Sequence, residues 1–260
     1  MKDLLDLISY SEKRKNLLIL LQEGPKTLSE IKTRLKVTST GMLPQIRKLE
    51  KRNLIKQVNK EYILTELGEI ITQYLAPLIK TLKVIEANEE FWTTHDLKAI
   101  PPHLLQRISE LGECKLVESS LNSIYELRAE FMENIARSKK ISGIFPVYHP
   151  MHLPLFLKVA EKGSDITLIY IEDVIERMKN ENPEQLKRYI DLKNARMFIS
   201  TEEIRLSNVT TDCFFSLSLF YKRGDYDHQR DLYSYEPSAV KWGFELFEYY
   251  LKKAKPVTDL

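Results

Sequence analysis

Residues 37–55 read VTSTGMLPQIRKLEKRNLI and contain the helix that decides the first part of the fold. Leu43, Ile46 and Leu49 recur at intervals of three, which places them on one face of a helix. The opposite face carries hydroxyl, amide and cationic side chains. A helix that lies in a DNA major groove needs this combination, because small polar groups approach base edges and cations meet phosphates. Taken alone, the same pattern also fits an ordinary helix with a solvated basic face.

The segments on either side of this helix define an order of elements. Residues 4–23 are predicted to form one helix, and the tetrapeptide TLSE at 27–30 reads as a capping box that starts a short helix over 28–35. After residue 53, two short apolar segments within residues 54–64 flank a polar pair, which predicts a β-hairpin. Helix, helix, turn, helix and hairpin in this order predict an α+β winged helix-turn-helix domain.

Charge is distributed unevenly along the 260 residues. The net charge is +2, yet residues 26–60 hold ten basic and two acidic side chains, a net +8, so the remainder carries −6. A basic segment set against an acidic remainder indicates contact with a polyanion at one end of the chain. The residues predicted to line the DNA groove or hold phosphates are Lys26, Thr38, Ser39, Thr40, Gln45, Arg47, Lys48, Lys51, Arg52 and Lys60.

A long helix is predicted over residues 66–87, with Thr65 as its cap. Its apolar residues alternate spacings of four and three, as in the seam between paired helices; they are Ile71, Leu75, Leu78, Leu82 and Ile85. The pattern fits a homodimer interface, and equally a helix that packs on its own domain. A homodimer is expected on symmetry grounds, since winged-helix regulators usually read two half-sites of a double-stranded operator. We therefore predict a DNA-binding domain with a linker or dimerisation helix over residues 1–88.

Two tracts of the first domain resemble a known family. LEKRNLI at 49–55 and YILTELG at 62–68 are similar to the end of the recognition helix and the wing of ArsR- and MarR-type winged helices. The resemblance implies binding to double-stranded DNA.

Residues 89–260 show strands separated by helices, which predicts an α/β domain with a mixed, partly parallel sheet. A capping box at 123–126 leads a predicted helix to about residue 139, and Pro150 is predicted at the first position of a helix that ends at 162. A final helix is expected over 237–253. The predicted strands are 115–119, 141–147, 166–171, 197–200, 204–208 and 213–221.

This second half resembles the middle and C-terminal sensor module of methanogen regulators that control filament formation and methanogenesis. The tracts that carry the resemblance are WTTHDLKAIP at 92–101, LLQRISELG at 104–112, TDCFFSLSLF at 211–220 and AVKWGFELF at 239–247. The resemblance implies an archaeal transcription factor whose second domain senses a signal. It also implies an architecture similar to the phospholipase-D-like sensor of sugar-responsive archaeal regulators.

The sequence predicts neither a catalytic residue nor a cofactor. Phospholipase-D chemistry needs His and Lys two residues apart, and the residues that follow His149 and His228 do not fit. His149 and His152 lack the further Cys or carboxylate pattern of a metal site, so we interpret them as capping or packing residues. Cys114 and Cys213 are interpreted as core thiols. The alternatives left open are a degenerate hydrolase activity in the second domain and a protein-interaction adaptor.

One ligand site is predicted in the second domain. Ligands of α/β sheets bind beyond the carboxyl ends of strands, near helix N-termini. Residues placed there are Phe145, Tyr148, His149, Tyr170 and Glu172. Aromatic side chains with a few polar groups suit a small-molecule effector.

No apolar run approaches the roughly 18 residues that span a bilayer, so we expect a cytoplasmic protein without a membrane partner.

Overall fold

The computed structural model describes residues 3–119 and 127–258, and the chain divides into two compact units between Lys80 and Thr81. The division lies eight residues before the predicted boundary at 88, within one long helix. The capping box predicted at 123–126 lies outside the described residues.

The first unit consists of helices followed by a hairpin. Its elements are α1 (Leu4–Ser9), α2 (Glu12–Leu21), β1 (Lys26–Thr27), α3 (Leu28–Leu35), α4 (Ser39–Lys51), β2 (Ile55–Val58), β3 (Glu61–Leu64) and the start of α5 (Glu66–Ala87). The strands form an antiparallel sheet in the order β1-β3-β2. The core is formed by residues of α2, α3 and α4, with Leu54 and the hairpin closing it.

The first helical segment is interrupted, unlike the single helix predicted over 4–23. Ser11 has an extended backbone conformation, and its hydroxyl accepts a hydrogen bond from the backbone N–H of Arg14. Ser11 is therefore the N-cap of α2, and α1 ends at Ser9. Apolar residues lie on both sides of the largely polar residues 9–16, and one helix was predicted across them, so the break was missed.

Helix α3 and the hairpin lie where short-range sequence signals predicted them. Both halves of the capping box are present, with the Glu30 carboxylate 2.7 Å from the Thr27 backbone nitrogen and the Thr27 hydroxyl 3.3 Å from that of Glu30. In the hairpin, Val58 pairs with Glu61 across a two-residue turn. The turn residues Asn59 and Lys60 have φ values of 48° and 68°. Positive φ at both positions is characteristic of a type I′ turn, whose twist matches that of the strands.

The second unit is an α/β sandwich. Its helices are α6 (Glu89–Thr94), α7 (Pro102–Leu105), α8 (Ala129–Arg137), α9 (His152–Glu161), α10 (Glu172–Glu181), α11 (Pro183–Ile190) and α12 (Pro237–Leu251), with 3₁₀ turns at Leu97–Ala99 and Ile108–Leu111. Its strands are β4 (Lys115–Glu118), β5 (Lys140–Phe145), β6 (Asp165–Tyr170), β7 (Ala195–Ser200), β8 (Leu206–Thr211), β9 (Phe215–Leu219), β10 (Arg230–Ser234) and β11 (Ala254–Pro256).

The described strands of this unit form one eight-stranded mixed sheet in the order β11-β7-β6-β5-β8-β9-β10-β4. β5, β6 and β7 are parallel, and the other pairs are antiparallel. Residues of α8, α9, α10 and α11 pack into one core, and residues of α6, α7 and α12 into another. On β5, Phe145 belongs to the first core and Ile144 to the second. The mixed, partly parallel sheet agrees with the prediction.

Some elements of the second unit differ from the predictions. α9 begins at His152 rather than at Pro150, because the His149 imidazole accepts a hydrogen bond from the Met151 backbone N–H and holds a turn before the helix. β10 and β11 were not predicted, and β11 ends in a proline that an edge strand tolerates. Both cysteines are half-buried rather than fully buried.

Helix α12 approaches the sheet closely at Gly243. A Cβ at this position would overlap the hydroxyl of Thr210 and the ring of Phe215. The adjacent Trp242 is fully buried, and its indole N–H donates to the Leu104 carbonyl over 3.0 Å.

Gly243→Ala is therefore expected to lower the free energy of unfolding of the second unit by roughly 1–3 kcal/mol through overpacking, although alanine favours helices by about 1 kcal/mol. Urea unfolding followed by tryptophan fluorescence reports on this unit, since both tryptophans, Trp92 and Trp242, lie in it. Glu248→Ala, on the exposed face of the same helix, is the control and should change stability by less than about 0.5 kcal/mol. Equal stability of the two variants would contradict the close approach.

Candidate nucleic-acid interface and effector cavity

Helix α4 is anchored by its N-cap. Thr38 accepts a hydrogen bond from the Gly41 backbone N–H over 3.2 Å, and its hydroxyl lies 3.2 Å from that of Thr40. Thr38 was predicted to line the groove, and the structure uses its side chain to start the helix. Ser39 is half-buried, whereas Thr40 is exposed.

The buried face of α4 is formed by Met42, Ile46 and Leu49, all 1% exposed or less. The prediction placed Leu43 on this face, but Leu43 is half-buried at its edge. A spacing of four and then three follows the 3.6-residue period more closely than two spacings of three. The correction rotates the helix slightly and leaves Lys48 on its outer side.

Four of the predicted cations are exposed on the surface of the first unit. Arg47, Lys48 and Lys51 are exposed on α4, and Lys60 is exposed at the hairpin turn. Within residues 3–119 and 127–258, none of these four forms a salt bridge. Arg52 is the half-buried C-cap of α4.

Lys26 is less accessible than the other predicted cations. It is half-buried, and its ammonium donates to the Gly24 carbonyl over 3.3 Å. The interaction folds its side chain back onto its own turn. Lys13 is an exposed cation that was not predicted, and it lies nearer to α4. Its Nζ is 2.9 Å from the position that a Cβ on Gly41 of α4 would occupy. The cationic run EKRK at 12–15 was the available signal.

Gln45 differs most from its predicted role. Its side chain is half-buried, and Oε1 accepts a hydrogen bond of 2.5 Å from Nη1 of Arg14. Arg14 is 7% exposed and also donates to the Leu7 carbonyl. Burial lowers the pKa of Arg14. Gln45 therefore has its acceptor engaged within the unit and does not present it to a groove.

The second unit contains a cavity of about 110 Å³ at the end of β5. Of the predicted ligand residues, Phe145, Tyr148 and His149 line it. Tyr170 does not: it is fully buried, stacks on Phe145 with ring centroids 5.4 Å apart, and has its pKa raised by burial. Glu172 is exposed in the first turn of α10 and is also outside the lining. The cavity is lined by residues of β8, β9 and β10 and by none of β6.

Hydroxyl groups and one ion pair form the polar wall of the cavity. Ser207 of β8 and Ser218 of β9 are directly paired across the sheet. Ser218 donates to the carboxylate of Asp231, which also forms a salt bridge with Arg128. Burial raises the pKa of Tyr226, whose hydroxyl interacts with those of Ser218 and Ser207. This wall was not predicted from the sequence, because β10 was not recognised as a strand.

Asp227 lies in the same wall and is 2% exposed. Burial disfavours its charged form, but hydrogen bonds from His95 and Arg230 outweigh that effect and hold its pKa well below the ordinary value. The distances are 3.1 Å to Nε2 of His95 and 2.8 Å to Nε of Arg230. Arg230 also pairs with Glu90 of α6 over 3.0 Å. The cavity wall is thus tied by charge to α6.

His152 completes the opposite wall. Burial, with a smaller contribution from His149, lowers its pKa to about 3. Its Nδ1 is buried without a hydrogen-bond partner among the described residues, as is Nε of Arg128. The imidazole rings of His149 and His152 stack with centroids 4.8 Å apart.

Neither a metal centre nor a membrane span was found in the parts of the chain that the structure describes. Over 3–119 and 127–258, no group of three or more His, Cys, Asp or Glu residues is arranged to hold a metal ion. Over the same ranges, no helix combines the length and apolarity needed to cross a bilayer.

Comparison with known protein families identifies both halves of the chain. The model of the N-terminal domain of methanogenesis regulatory protein FilR1 matches residues 2–83, and that of its middle domain matches residues 124–253. The chain belongs to the FilR1 family of methanogenesis regulatory proteins. A curated relative, methanogenesis regulatory protein FilR1 of Methanothrix harundinacea (strain 6Ac), is 28% identical over 257 residues. The alignment covers 97% of this chain and 58% of the relative, so the chain spans little more than half of that protein.

Solved structures give remote likenesses. TrmBL2, an archaeal chromatin protein with a novel mode of DNA binding, aligns with a TM-score of 0.46 and 14% identity over 97% of both chains. Nuc from Salmonella typhimurium, a phospholipase D family member, aligns with a TM-score of 0.40 and 10% identity over 56% of this chain and 99% of Nuc.

The depressed pKa of His152 predicts that the second unit loses stability in acid. The unfolded chain takes up a proton near pH 6.5, whereas the folded protein resists protonation down to about pH 3. Stability is therefore complete above pH 6.5 and falls between pH 6.5 and 3. We expect this histidine to account for a loss of roughly 2–3 kcal/mol between pH 6 and 4.

His152→Gln should reduce the acid-dependent loss by that amount in urea unfolding followed by tryptophan fluorescence. The same substitution at exposed His103 controls for the removal of a histidine. An unchanged pH dependence in His152→Gln would show that the imidazole is not held neutral by the fold.

Proposed function

We propose that this protein is a DNA-binding transcriptional regulator, with a winged helix-turn-helix of the ArsR and MarR type in the first unit and a sensor in the second. The observation that carries the proposal is the set of exposed cations on α4 and the hairpin turn, which no described acidic side chain neutralises. Membership of a family of regulatory proteins supports it. A protein of this kind acts on DNA in the cytoplasm.

In this proposal α4 is the recognition helix. Thr40 and Lys48, both exposed, reach base edges in the major groove, while Arg47 and Lys51 bind phosphates beside it. Lys60 at the hairpin turn contacts a phosphate or the minor groove. Of the remaining predicted contacts, Ser39 and Arg52 serve as supporting phosphate ligands, and Thr38 and Gln45 hold the helix in place. Lys26, whose ammonium is bound to the Gly24 carbonyl, is not among the proposed contacts.

Helix α5 supplies a surface for dimerisation. Leu67, Ile70, Tyr74 and Leu78 are between 42% and 73% exposed, at spacings of three, four and four. This spacing places them on one face of the helix. Two members of the predicted seam, Ile71 and Leu75, instead pack on the core of the first unit. We propose that the exposed face pairs with that of a second copy, so that a homodimer reads two half-sites.

The cavity at the end of β5 is the proposed effector site. Phe145, Tyr148 and His149 line it beside a wall of hydroxyl groups, a mixture that suits a small molecule. The hydrogen bond of Asp227 with His95 and its ion pair with Arg230 connect this wall to α6. Occupation of the cavity would thereby influence the helix that directly follows α5 along the chain.

Removing two cations should weaken DNA binding and its dependence on salt. For Lys51→Ala with Lys60→Ala, which removes two proposed phosphate contacts, we expect the slope of log K against log salt to fall by about two units, because each lost phosphate contact releases about 0.9 fewer counterions. Fluorescence anisotropy on a double-stranded oligonucleotide of random sequence measures this slope. Lys162→Ala with Lys193→Ala removes the same charge from exposed sites of the second unit and should leave the slope unchanged. Equal slopes for the two double variants would overturn the assignment of α4.

Charges placed on the exposed face of α5 should produce monomers. Tyr74→Glu with Leu78→Glu puts two carboxylates into the proposed interface, where desolvation of unpaired charge is costly. Light scattering coupled to gel filtration should show a halved mass relative to the parent protein. Met132→Glu, at another exposed apolar residue, should keep the parent mass. A parent protein that is already monomeric would remove the dimer from the proposal.

A further inference from the structure

The size of the cavity in the second unit limits what it can hold. Its volume is about 110 Å³, and a cavity of about 150 Å³ accommodates one benzene molecule. By the same proportion, about four or five non-hydrogen atoms fit inside, and a ligand of about six fills the cavity and reaches its opening.

Charges in the wall are matched within the protein. Arg128 pairs with Asp231, and Asp227 pairs with Arg230 and His95. The histidine on the opposite wall, His152, stays uncharged at neutral pH, since burial lowers its pKa to about 3. Among the described residues that line the cavity, an ionic ligand would meet no unpaired side chain of opposite charge, and burial of such a ligand charge is unfavourable.

Polar groups in the wall nevertheless lack partners. Among the described residues, neither the donor Nε of Arg128 nor Nδ1 of His152 has a hydrogen-bond partner. Ser207 donates to the Ile144 carbonyl over 3.0 Å and Ser218 donates to Asp231. The Tyr226 hydroxyl has one proton to donate to these serines, so each serine oxygen still keeps at least one free lone pair. The wall therefore has an N–H group that can donate a hydrogen bond to a ligand and hydroxyl oxygens that can accept one. Phe145 and Val209 supply apolar contact for carbon atoms.

We infer that the cavity binds a small uncharged molecule that carries both hydrogen-bond donors and acceptors, such as a hydroxyl with an amide or a second hydroxyl. This inference rests on the proposed sensor role and specifies its ligand class. The acceptor of the ligand would take the Arg128 Nε–H, and its donors would face the serine oxygens.

Three probes of nearly equal shape test the charge requirement. Lactamide is neutral, lactate carries a negative charge, and alaninamide carries a positive charge at pH 7. Ligand-observed saturation-transfer NMR on the full chain should show lactamide binding at least ten times more tightly than either ion. Tighter binding of lactate or alaninamide, or no binding of lactamide, would overturn the inference.

Variants of the wall locate the binding. Ser207→Leu fills the polar wall with carbon and should abolish the lactamide signal, while Tyr226→Phe removes one hydroxyl and should weaken binding severalfold. Thr201→Leu, exposed in the same unit, is the control and should bind as the parent does. Urea unfolding of each variant shows that it is folded. Lactamide binding unaffected by Ser207→Leu would place the site elsewhere and overturn the inference.

The outcome is separable from that of the proposed function. Salt-dependent DNA binding without lactamide binding would overturn only the ligand class. Lactamide binding in a protein without affinity for DNA would overturn the regulator and leave the neutral-ligand site standing.

Discussion

The buried carboxylate of Asp227 is the constraint on which the second unit depends. A charge removed from water is tolerated only with close partners, and Asp227 has His95 and Arg230 within 3.1 Å. His95 is itself stacked between Phe91 and Tyr221, so the carboxylate also fixes where α6 and the segment before β10 lie. Because Asp227 lines the cavity as well, the shape of the site and the position of α6 are set by the same group.

The first unit could be predicted closely because its signals are short-range. Thr27 and Glu30 define the start of α3 within four residues, and the polar pair before Glu61 defines the hairpin register. α3 and α5 have the predicted bounds. Ser11 was missed although it is a good N-cap, because it lies in the largely polar run of residues 9–16, where one hydroxyl residue gives no distinct signal.

What could not be predicted depends on contacts distant in sequence. Gln45 faced solvent on a helical wheel, and only the folded chain brings Arg14 to it from 31 residues away. The general rule for parallel strands placed a ligand between β5 and β6, which selected Tyr170. The sheet instead changes to antiparallel pairing at β8, and the cavity follows that side. Its wall of Arg128, Ser218 and Asp231 comes from three separate segments, none of which has a motif.

At the hairpin turn, the stability of the fold and the proposed binding of DNA favour different residues. Lys60 occupies a left-handed conformation, with φ of 68°, that glycine adopts without steric cost and a lysine does not. Replacing the side chain by hydrogen would relieve that backbone conformation while deleting the cation at the tip. Stability therefore favours glycine at position 60, whereas the proposed DNA contact requires lysine. A sequence optimised for thermal stability would lose this contact first.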